Sequence, residues 1–254
     1  MFKSFLMALS TLTIFPIPYK LYENGDTKQS AHFFPIIGLL VGLVLALVAS
    51  AIHGLFSPQF NALLILFLSV SVSRAFHLDG FADCADAFWS SRHQEKKLEI
   101  MKDSRIGVMG VLALIFLLGA KYIYLERLMH LETSVVFVTV FSMVLAGRCS
   151  MNFHMWLIKP KNSGLGKAFW NAKSAFTALI LLALGLFCTL PLISALSLLI
   201  IILLSSVLWC IYVKRNIGCG TGDTLGASCE ISELLVLLAS FEFLPLILNL
   251  VGSQ

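Results

Sequence analysis

Long apolar runs, separated by short polar connections, dominate the chain. Seven of them are long enough, or nearly so, to cross a bilayer, which takes about 20 residues. Because lipid offers the backbone no hydrogen-bond partners, each run is predicted to be a helix. The predicted spans lie near 33–55, 59–76, 107–126, 134–156, 174–190, 193–212 and 231–250. The opening stretch MFKSFLMALSTLTIFPIP has one basic residue and no small-residue cleavage site before Pro16, so we expect an interfacial or re-entrant segment.

Composition agrees with this pattern. Of the 254 residues, 58% are hydrophobic and only 13% are charged, about half the usual charged share of a soluble domain. So few charges cannot cover the surface of a soluble fold, and a disordered chain or a nucleic-acid-binding module is also excluded. We therefore expect an all-α polytopic integral membrane helical bundle of about seven transmembrane helices. It would form a single membrane-embedded domain over 1–254.

The basic residues predict the orientation of this bundle. Of the 18 Lys and Arg, 15 fall in four polar segments, 16–32, 74–106, 148–173 and 213–230, whereas the opposite connections contain only Arg127. Basic loops stay in the cytoplasm, so we expect these four segments on the cytoplasmic side of the plasma (inner) membrane and the C-terminus outside. The six cysteines form no CxxC pair and have no zinc spacing, so they predict no metal site.

Three aspartates follow the second predicted span. Asp79, Asp83 and Asp86 stand at i, i+4 and i+7, so they share one face if this span continues as a helix past Gly80. Three anions on one face repel each other unless a cation neutralises them, and oxygen ligands select Mg²⁺, Mn²⁺ or Ca²⁺. The alternative is a solvated polar helix end. The intervening residues are mostly apolar, which favours the metal: Phe81, Ala82, Cys84 and Ala85.

A second polar cluster, Lys102-Asp103-Ser104-Arg105, precedes the third span. Asp103 is a fourth candidate metal ligand. Lys102 and Arg105 are candidates for phosphate binding, Arg105 through bidentate geometry. The alternative is a set of basic anchors at the membrane surface.

Two glycine-containing loops complete the candidate site. In the stretch 218–227, Gly220 and Gly222 allow backbone N–H groups to approach an anion, and Asp223 adds a carboxylate, although a helix cap and turn would look alike. A basic loop over 161–167 ends at Lys167. His77 lies near the interface, where histidines more often make structural hydrogen bonds. Arg148 is expected to be buried and paired with an acid.

These motifs resemble the cobalamin synthase family, the adenosylcobinamide-GDP ribazoletransferases, over nearly the whole chain. The motifs that carry the resemblance are FLMALSTLTIFPIP, HFFPIIGLLVG, HLDGFADCADAF, LEIMKDSRIGVMGVLAL, GLGKAF and GTGDTLGASCE. The family commonly has Thr and Gly where this chain has Cys84 and Ala87, and neither change removes a carboxylate. The resemblance implies a membrane transferase of the last stage of cobalamin biosynthesis. It would use Mg²⁺ to join adenosylcobinamide-GDP to α-ribazole or its 5′-phosphate, releasing GMP and forming adenosylcobalamin or its 5′-phosphate.

The residues acquire expected roles from this reaction. Asp79, Asp83, Asp86 and Asp103 would hold Mg²⁺, and either Asp86 or Asp103 would accept the proton of the attacking hydroxyl. Lys102 and Arg105 would stabilise the departing GMP or the transition state. The expected substrate-binding residues are His77, Gly220, Gly222, Asp223 and Lys167.

Two other functions fit the same residues. A CDP-alcohol-type lipid phosphotransferase would use similar metal chemistry with a different acceptor, and acids at helix ends also suit an ion-coupled membrane carrier. The expected partners are the two small-molecule substrates and the lipid bilayer, with no nucleic acid. A homo-oligomer, or association with other corrinoid-assembly enzymes, is a further expectation.

Overall fold

The computed structural model describes residues 1–161 and 164–243, except for the side chains of Leu165 and Phe243. In this part of the chain every regular element is helical, and the only β-type pairing is an isolated bridge between Pro160 and Gly220. The all-α prediction is therefore confirmed. The α-helices are α1 (Phe2–Leu12), α2 (Thr27–Ser30), α3 (Phe34–Ile52), α4 (Pro58–Val72), α5 (Phe76–Phe88), α6 (Gln94–Ile100), α7 (Val108–Leu128), α8 (Thr133–Leu157), α9 (Leu165–Phe169), α10 (Ser174–Thr189), α11 (Leu192–Ile217) and α12 (Gly222–Leu238).

Five helical stretches in the described residues are long and apolar enough to cross a membrane, and α4 with α5 would make a sixth if the bent pair is one span. Each of the seven predicted spans coincides with a helix, but α10 has only 16 residues and α4 only 15. The count of seven therefore stays a prediction. The last helix begins at Gly222, nine positions before the predicted start at 231, and its predicted end over 244–250 lies outside the described residues.

Helix α8 lies at the centre of the bundle, packed by α3, α10, α11 and α12, and it is buried along most of its length. Glycines let α3 approach it closely. A Cβ atom on Gly38 would lie 2.8 Å from Cβ of Arg148, and one on Gly42 would lie 3.0 Å from the carbonyl oxygen of Phe141. Between membrane helices, where packing supplies much of the association energy, small residues of this kind bring backbones together.

The junction between α4 and α5 is a sharp break. The two helices meet at 87°, so the second predicted span does not continue as one straight helix into the aspartate segment. Arg74 and Ala75 have φ values of 53° and 56°, a left-handed conformation that turns the chain. The Ala75 N–H donates to the carbonyl oxygen of Val70 at 3.0 Å, which closes the end of α4. Because α5 restarts before Asp79, the predicted helical spacing of the aspartates is retained.

Buried charges tie three helices together within the bundle. Nζ of Lys121, on α7, lies 2.6 Å from carboxylate oxygens of both Glu230 and Glu233, on α12. Arg148, on α8, pairs with Glu233 as well, which confirms that this arginine is buried beside an acid. Two cations and two anions thus neutralise each other where an unpaired charge would be very costly.

The N-terminal segment begins with α1, whose 11 residues are too few to span a bilayer. It packs against α2 and α3. Its end is joined to the α4–α5 junction, because the backbone N–H of Ile14 donates to the Val72 carbonyl at 2.7 Å and the Arg74 guanidinium donates to the Ser10 carbonyl at 2.9 Å. The segment therefore forms a wall of the same end of the bundle that carries the aspartates.

Candidate active site

Two glycines bring α5 against the start of α12. A Cβ atom on Gly80 would lie 2.7 Å from Cα of Asp223, and one on Gly226 would lie 3.1 Å from Cα of His77. Only a missing side chain permits backbones to approach this closely. The crossing places the first two aspartates of α5 beside the aspartate of α12, although 144 positions of sequence separate Asp79 from Asp223.

These acids form a cluster on two helices. The carboxylates of Asp79 and Asp223 lie near enough to Asp83 to act on it electrostatically. Within the part of the chain that the structure describes, none of the three makes an ion pair with Lys or Arg, whereas the deeper acids Glu230 and Glu233 both do. Asp79 is exposed and Asp83 is half-buried. The cluster therefore carries an excess of negative charge that a bound cation would relieve.

A cavity of ≈ 660 Å³ is lined by two members of this cluster, Asp79 and Asp223. Its walls come from the N-terminal segment, α5, the stretch after α6, the loop before α9 and the start of α12. Six of the expected site residues line it, and they bring both signs of charge together: Asp79, Lys102, Lys167, Gly220, Gly222 and Asp223. The volume lies in the range typical of small-molecule sites.

The start of α12 is held by several hydrogen bonds. Thr221 and Thr224 form a reciprocal capping box, in which each side chain bonds the other residue's backbone N–H. The buried His154 ring contacts the Thr224 hydroxyl at 2.9 Å, and the Cys210 thiol contacts the other ring nitrogen at 3.1 Å. Asp223 is therefore presented on a rigid helix end rather than on a loose loop.

The loop after α8 covers the glycine-rich turn before α12. The Lys161 N–H donates to the Gly220 carbonyl, and the Gly220 N–H donates to the Lys159 carbonyl, both at 2.8 Å. A Cβ atom on Gly166 would lie 2.6 Å from the backbone nitrogen of Gly222, so α9 and the start of α12 approach each other through their backbones. Asn162 and Ser163, within the predicted basic loop, lie outside the described residues.

Asp86 occupies a different environment from Asp79. Its carboxylate accepts backbone N–H bonds from Gly107 at 2.7 Å and Gly110 at 2.8 Å, at the start of α7. It thus caps a neighbouring helix and does not line the cavity. Its catalytic and metal-binding assignments stay predictions.

Asp103 and Arg105 pair with each other. The guanidinium donates to the carboxylate at 2.7 Å and 3.0 Å, and both side chains are exposed outside the cavity lining. Hydrogen bonds from the Arg105 side chain and backbone lower the pKa of Asp103 to about 2. Neighbouring Lys102 does line the cavity. The assignments of Asp103 and Arg105 also stay predictions.

His77 is fully buried on α5, away from the cavity lining. Its Nδ1 lies 3.7 Å from the thiol of Cys229, and its Nε2 has no partner among the described residues. Its position at the α5–α12 crossing indicates packing, and its expected contact with substrate stays a prediction.

Several cavity residues have no role that was predicted from the sequence. Arg74, at the helix break, and Lys161 bring two more cations, and Ser10, Thr11 and Tyr22 bring polar atoms from the N-terminal segment. Lys161 lies in the same basic loop as Lys167, so the charge of that loop could have predicted its role. Arg74 was not, because nothing local in the sequence predicts the 87° break that turns it to the cavity.

The acidic cluster can be tested against the expected Mg²⁺. Among residues 1–161 and 164–243, no three His, Cys, Asp or Glu side chains are arranged as a ready-made metal site. Mg²⁺ keeps several waters and often binds through one or two carboxylates together with substrate phosphates. Asp79 and Asp223, with Asp83 beside them, fit that mode, since they supply oxygen ligands and make no ion pair within the described structure.

Comparison with known proteins identifies the family. Residues 4–241 match the family described as cobalamin-5-phosphate synthase. The chain belongs to that family. A relative from Klebsiella pneumoniae (strain 342), named adenosylcobinamide-GDP ribazoletransferase, is 33% identical, and the alignment covers 94% of this chain and 99% of the relative. Proteins of the same name from Thermoanaerobacter sp. (strain X514) and Vibrio cholerae (strain O395) are 32% and 34% identical over 93% and 94% of this chain, and 96% and 94% of their own lengths. No solved structure matches the fold.

Proposed function

We propose that this protein is an adenosylcobinamide-GDP ribazoletransferase that catalyses the final step of cobalamin assembly. The observation that carries the proposal is a cavity lined by both carboxylates and cations, in a chain of the cobalamin-5-phosphate synthase family. Such a cavity suits phosphoryl transfer, which depends on charge neutralisation and alignment.

The reaction replaces a phosphoanhydride bond with a phosphate ester, and the ester to the cobinamide is kept. A ribose hydroxyl of α-ribazole, or of its 5′-phosphate, attacks the phosphorus that carries the cobinamide. The bond from this phosphorus to the bridging oxygen breaks, and GMP leaves with that oxygen. The hydroxyl proton passes to a base, and the product is adenosylcobalamin or its 5′-phosphate.

Residues that line the cavity supply these functions. Asp79 and Asp223 are the carboxylates placed to accept the proton, in preference to Asp86 and Asp103, whose carboxylates are engaged elsewhere. Lys102 and Lys161 neutralise the phosphates and the departing GMP. Mg²⁺ bound by Asp79, Asp83 and Asp223 is part of the proposal, and when bound it would neutralise negative charge on the phosphate oxygens.

The location of the site is also part of the proposal. The cavity cations belong to two of the four Lys- and Arg-rich segments, and all four segments contribute lining residues, which supports an active site on the cytoplasmic side of the inner membrane. A membrane-impermeant thiol reagent tests it, because Lys173→Cys would then react only from the cytoplasmic side and Glu132→Cys only from the opposite side. Assembly with a second copy or with other corrinoid-assembly enzymes is also proposed, and a measurement of the molecular mass of the purified protein tests it.

The deciding experiment measures GMP release by the purified protein in nanodiscs, with adenosylcobinamide-GDP and α-ribazole, with and without Mg²⁺. Matched formation of GMP and cobalamin is expected. Removal of Mg²⁺ is expected to abolish both products. Asp79→Asn and Asp223→Asn should lower the rate by about 10²-fold or more, whereas Glu95→Gln, which removes a charge outside the cavity, should not. Nucleotide release that depends on a lipid acceptor instead would refute the proposal in favour of a lipid phosphotransferase.

A further inference from the structure

The cavity is small for the substrate that the proposed function requires, and this inference rests on that function. Pockets of about 300–1,000 Å³ accommodate one drug-sized ligand. The cavity has ≈ 660 Å³. Adenosylcobinamide-GDP joins a nucleotide to an adenosylated corrin ring, so each half alone is of drug size or larger, and the second substrate also needs room. The charged residues of the lining suit the phosphates of the nucleotide end, and a cavity of this volume has no room for the corrin ring as well.

An apolar surface stands beside the cavity in the N-terminal segment. After α1, four large side chains between residues 14 and 21 are each more than half exposed. We call them the entrance strip: Ile14 (55% exposed), Phe15 (56%), Tyr19 (65%) and Leu21 (53%). Four such side chains within eight residues make a concentrated apolar surface that needs an occupant.

The entrance strip is continuous with the cavity wall. The ring of Tyr19 packs edge-on against the ring of Tyr22, with centroids 5.5 Å apart, and Tyr22 lines the cavity. The Tyr22 hydroxyl contacts the Ser10 hydroxyl at 3.0 Å, and Ser10 also lines the cavity. The backbone bond from Ile14 to the end of α4 fixes the other end of the strip. A ligand that fills the cavity and protrudes on this side therefore meets a preorganised surface.

We propose that the entrance strip binds the corrin ring of the substrate while the cavity holds its nucleotide end. A corrin is a broad conjugated ring with amide groups around its rim. Aromatic and aliphatic side chains pack on the ring face, and a tyrosine hydroxyl hydrogen-bonds to amides. The rival occupant is the bilayer. Lys20 and Glu23 are exposed among these residues, and the direct connection to a charged cavity favours the substrate.

The test compares two substrates that share the reacting end. One is adenosylcobinamide-GDP, and the other is the GDP ester of 1-amino-2-propanol, which lacks the ring. For Phe15→Ala and Tyr19→Ala, the ratio of kcat/KM for the corrinoid to that for the ring-less substrate should fall by about tenfold or more. The matched control is Phe116→Ala on α7, an equally large side chain that is 71% exposed and lies away from the cavity lining, and it should leave the ratio unchanged.

A binding measurement separates this proposal from the proposed function. Adenosylcobinamide, which has no nucleotide and cannot react, absorbs visible light, so equilibrium dialysis gives its dissociation constant directly. Weaker binding by the Phe15→Ala and Tyr19→Ala proteins supports the entrance strip even if no transfer is detected. Unchanged binding and an unchanged substrate ratio, in a protein that does release GMP, overturn it. A lower stability of the protein in vesicles with the ratio unchanged also overturns it, because the strip would then be a contact with the bilayer.

Discussion

Asp86 provides the sharpest test of how this site is organised, because its sequence position predicts a catalytic or metal-binding role whereas its contacts indicate a helix cap. We expect Asp86→Ala to destabilise the protein without removing the chemical step. The carboxylate accepts two backbone hydrogen bonds from the start of α7, at 2.7 Å and 2.8 Å. Hydrogen bonds to a charged acceptor contribute about 1.5–3 kcal/mol each, and loss of a capping side chain costs about 0.5–2 kcal/mol. We expect Asp86→Ala to lower the free energy of unfolding by about 2–4 kcal/mol.

A substitution at the start of α7, which donates these hydrogen bonds, should break the same interaction. A Cβ atom on Gly110 would lie 2.5 Å from a carboxylate oxygen of Asp86, so Gly110→Ala must displace that carboxylate. The effects of Asp86→Ala and Gly110→Ala on the free energy of unfolding should therefore be strongly non-additive, because either substitution alone already removes the hydrogen bonds. Asp86→Asn keeps one acceptor oxygen and should lie between Asp86→Ala and the unaltered protein.

The assay combines reversible unfolding in detergent micelles with turnover per folded molecule. Asp79→Asn is the matched control, because it removes a charge from the same helix at the cavity and should impair turnover without lowering stability. If Asp86→Ala left the unfolding free energy unchanged and abolished turnover, the capping argument would be refuted and a role for Asp86 in the chemistry would follow.

Three other perturbations have defined outcomes. Lys121→Met leaves the buried Glu230 and Glu233 without their shared cation and should lower the free energy of unfolding by about 3–5 kcal/mol in the same assay. Adding Glu230→Gln should recover part of this loss, and equal stability of the single and double variants would contradict the expectation. Ala75→Gly should raise the unfolding free energy by about 1 kcal/mol, because glycine accepts φ of 56° without strain, and a fall would show that the break is not strained. Asp103, with its pKa lowered to about 2, stays ionised well above that pH. Asp103→Asn should therefore leave the pH profile of GMP release unchanged from about pH 5 to about pH 8. A shifted profile would indicate that Asp103 acts as the base.

Much of the architecture follows from local pattern. The apolar runs predict helices because a chain in lipid must satisfy its own backbone hydrogen bonds, and helices occur at all seven predicted places. The spacing of Asp79 and Asp83 gives neighbouring positions on one helix because an α-helix repeats every 3.6 residues. The glycines and the aspartate of the stretch 218–227 also pointed to a site, and Gly220, Gly222 and Asp223 do line the cavity.

Only the tertiary structure decided which of the polar residues meet. Asp86 shares a helix and a spacing with Asp79, yet its neighbour is the start of α7, so it makes a cap while Asp79 faces the cavity. Lys121 finds its partners on α12, more than 100 positions further along the chain, so Glu230 and Glu233 lie paired inside the bundle. A sequence pattern reports the face of a helix. What that face contacts depends on helix crossings, and here these are set by backbone contacts at Gly80 and Gly226 and by a left-handed turn at Arg74.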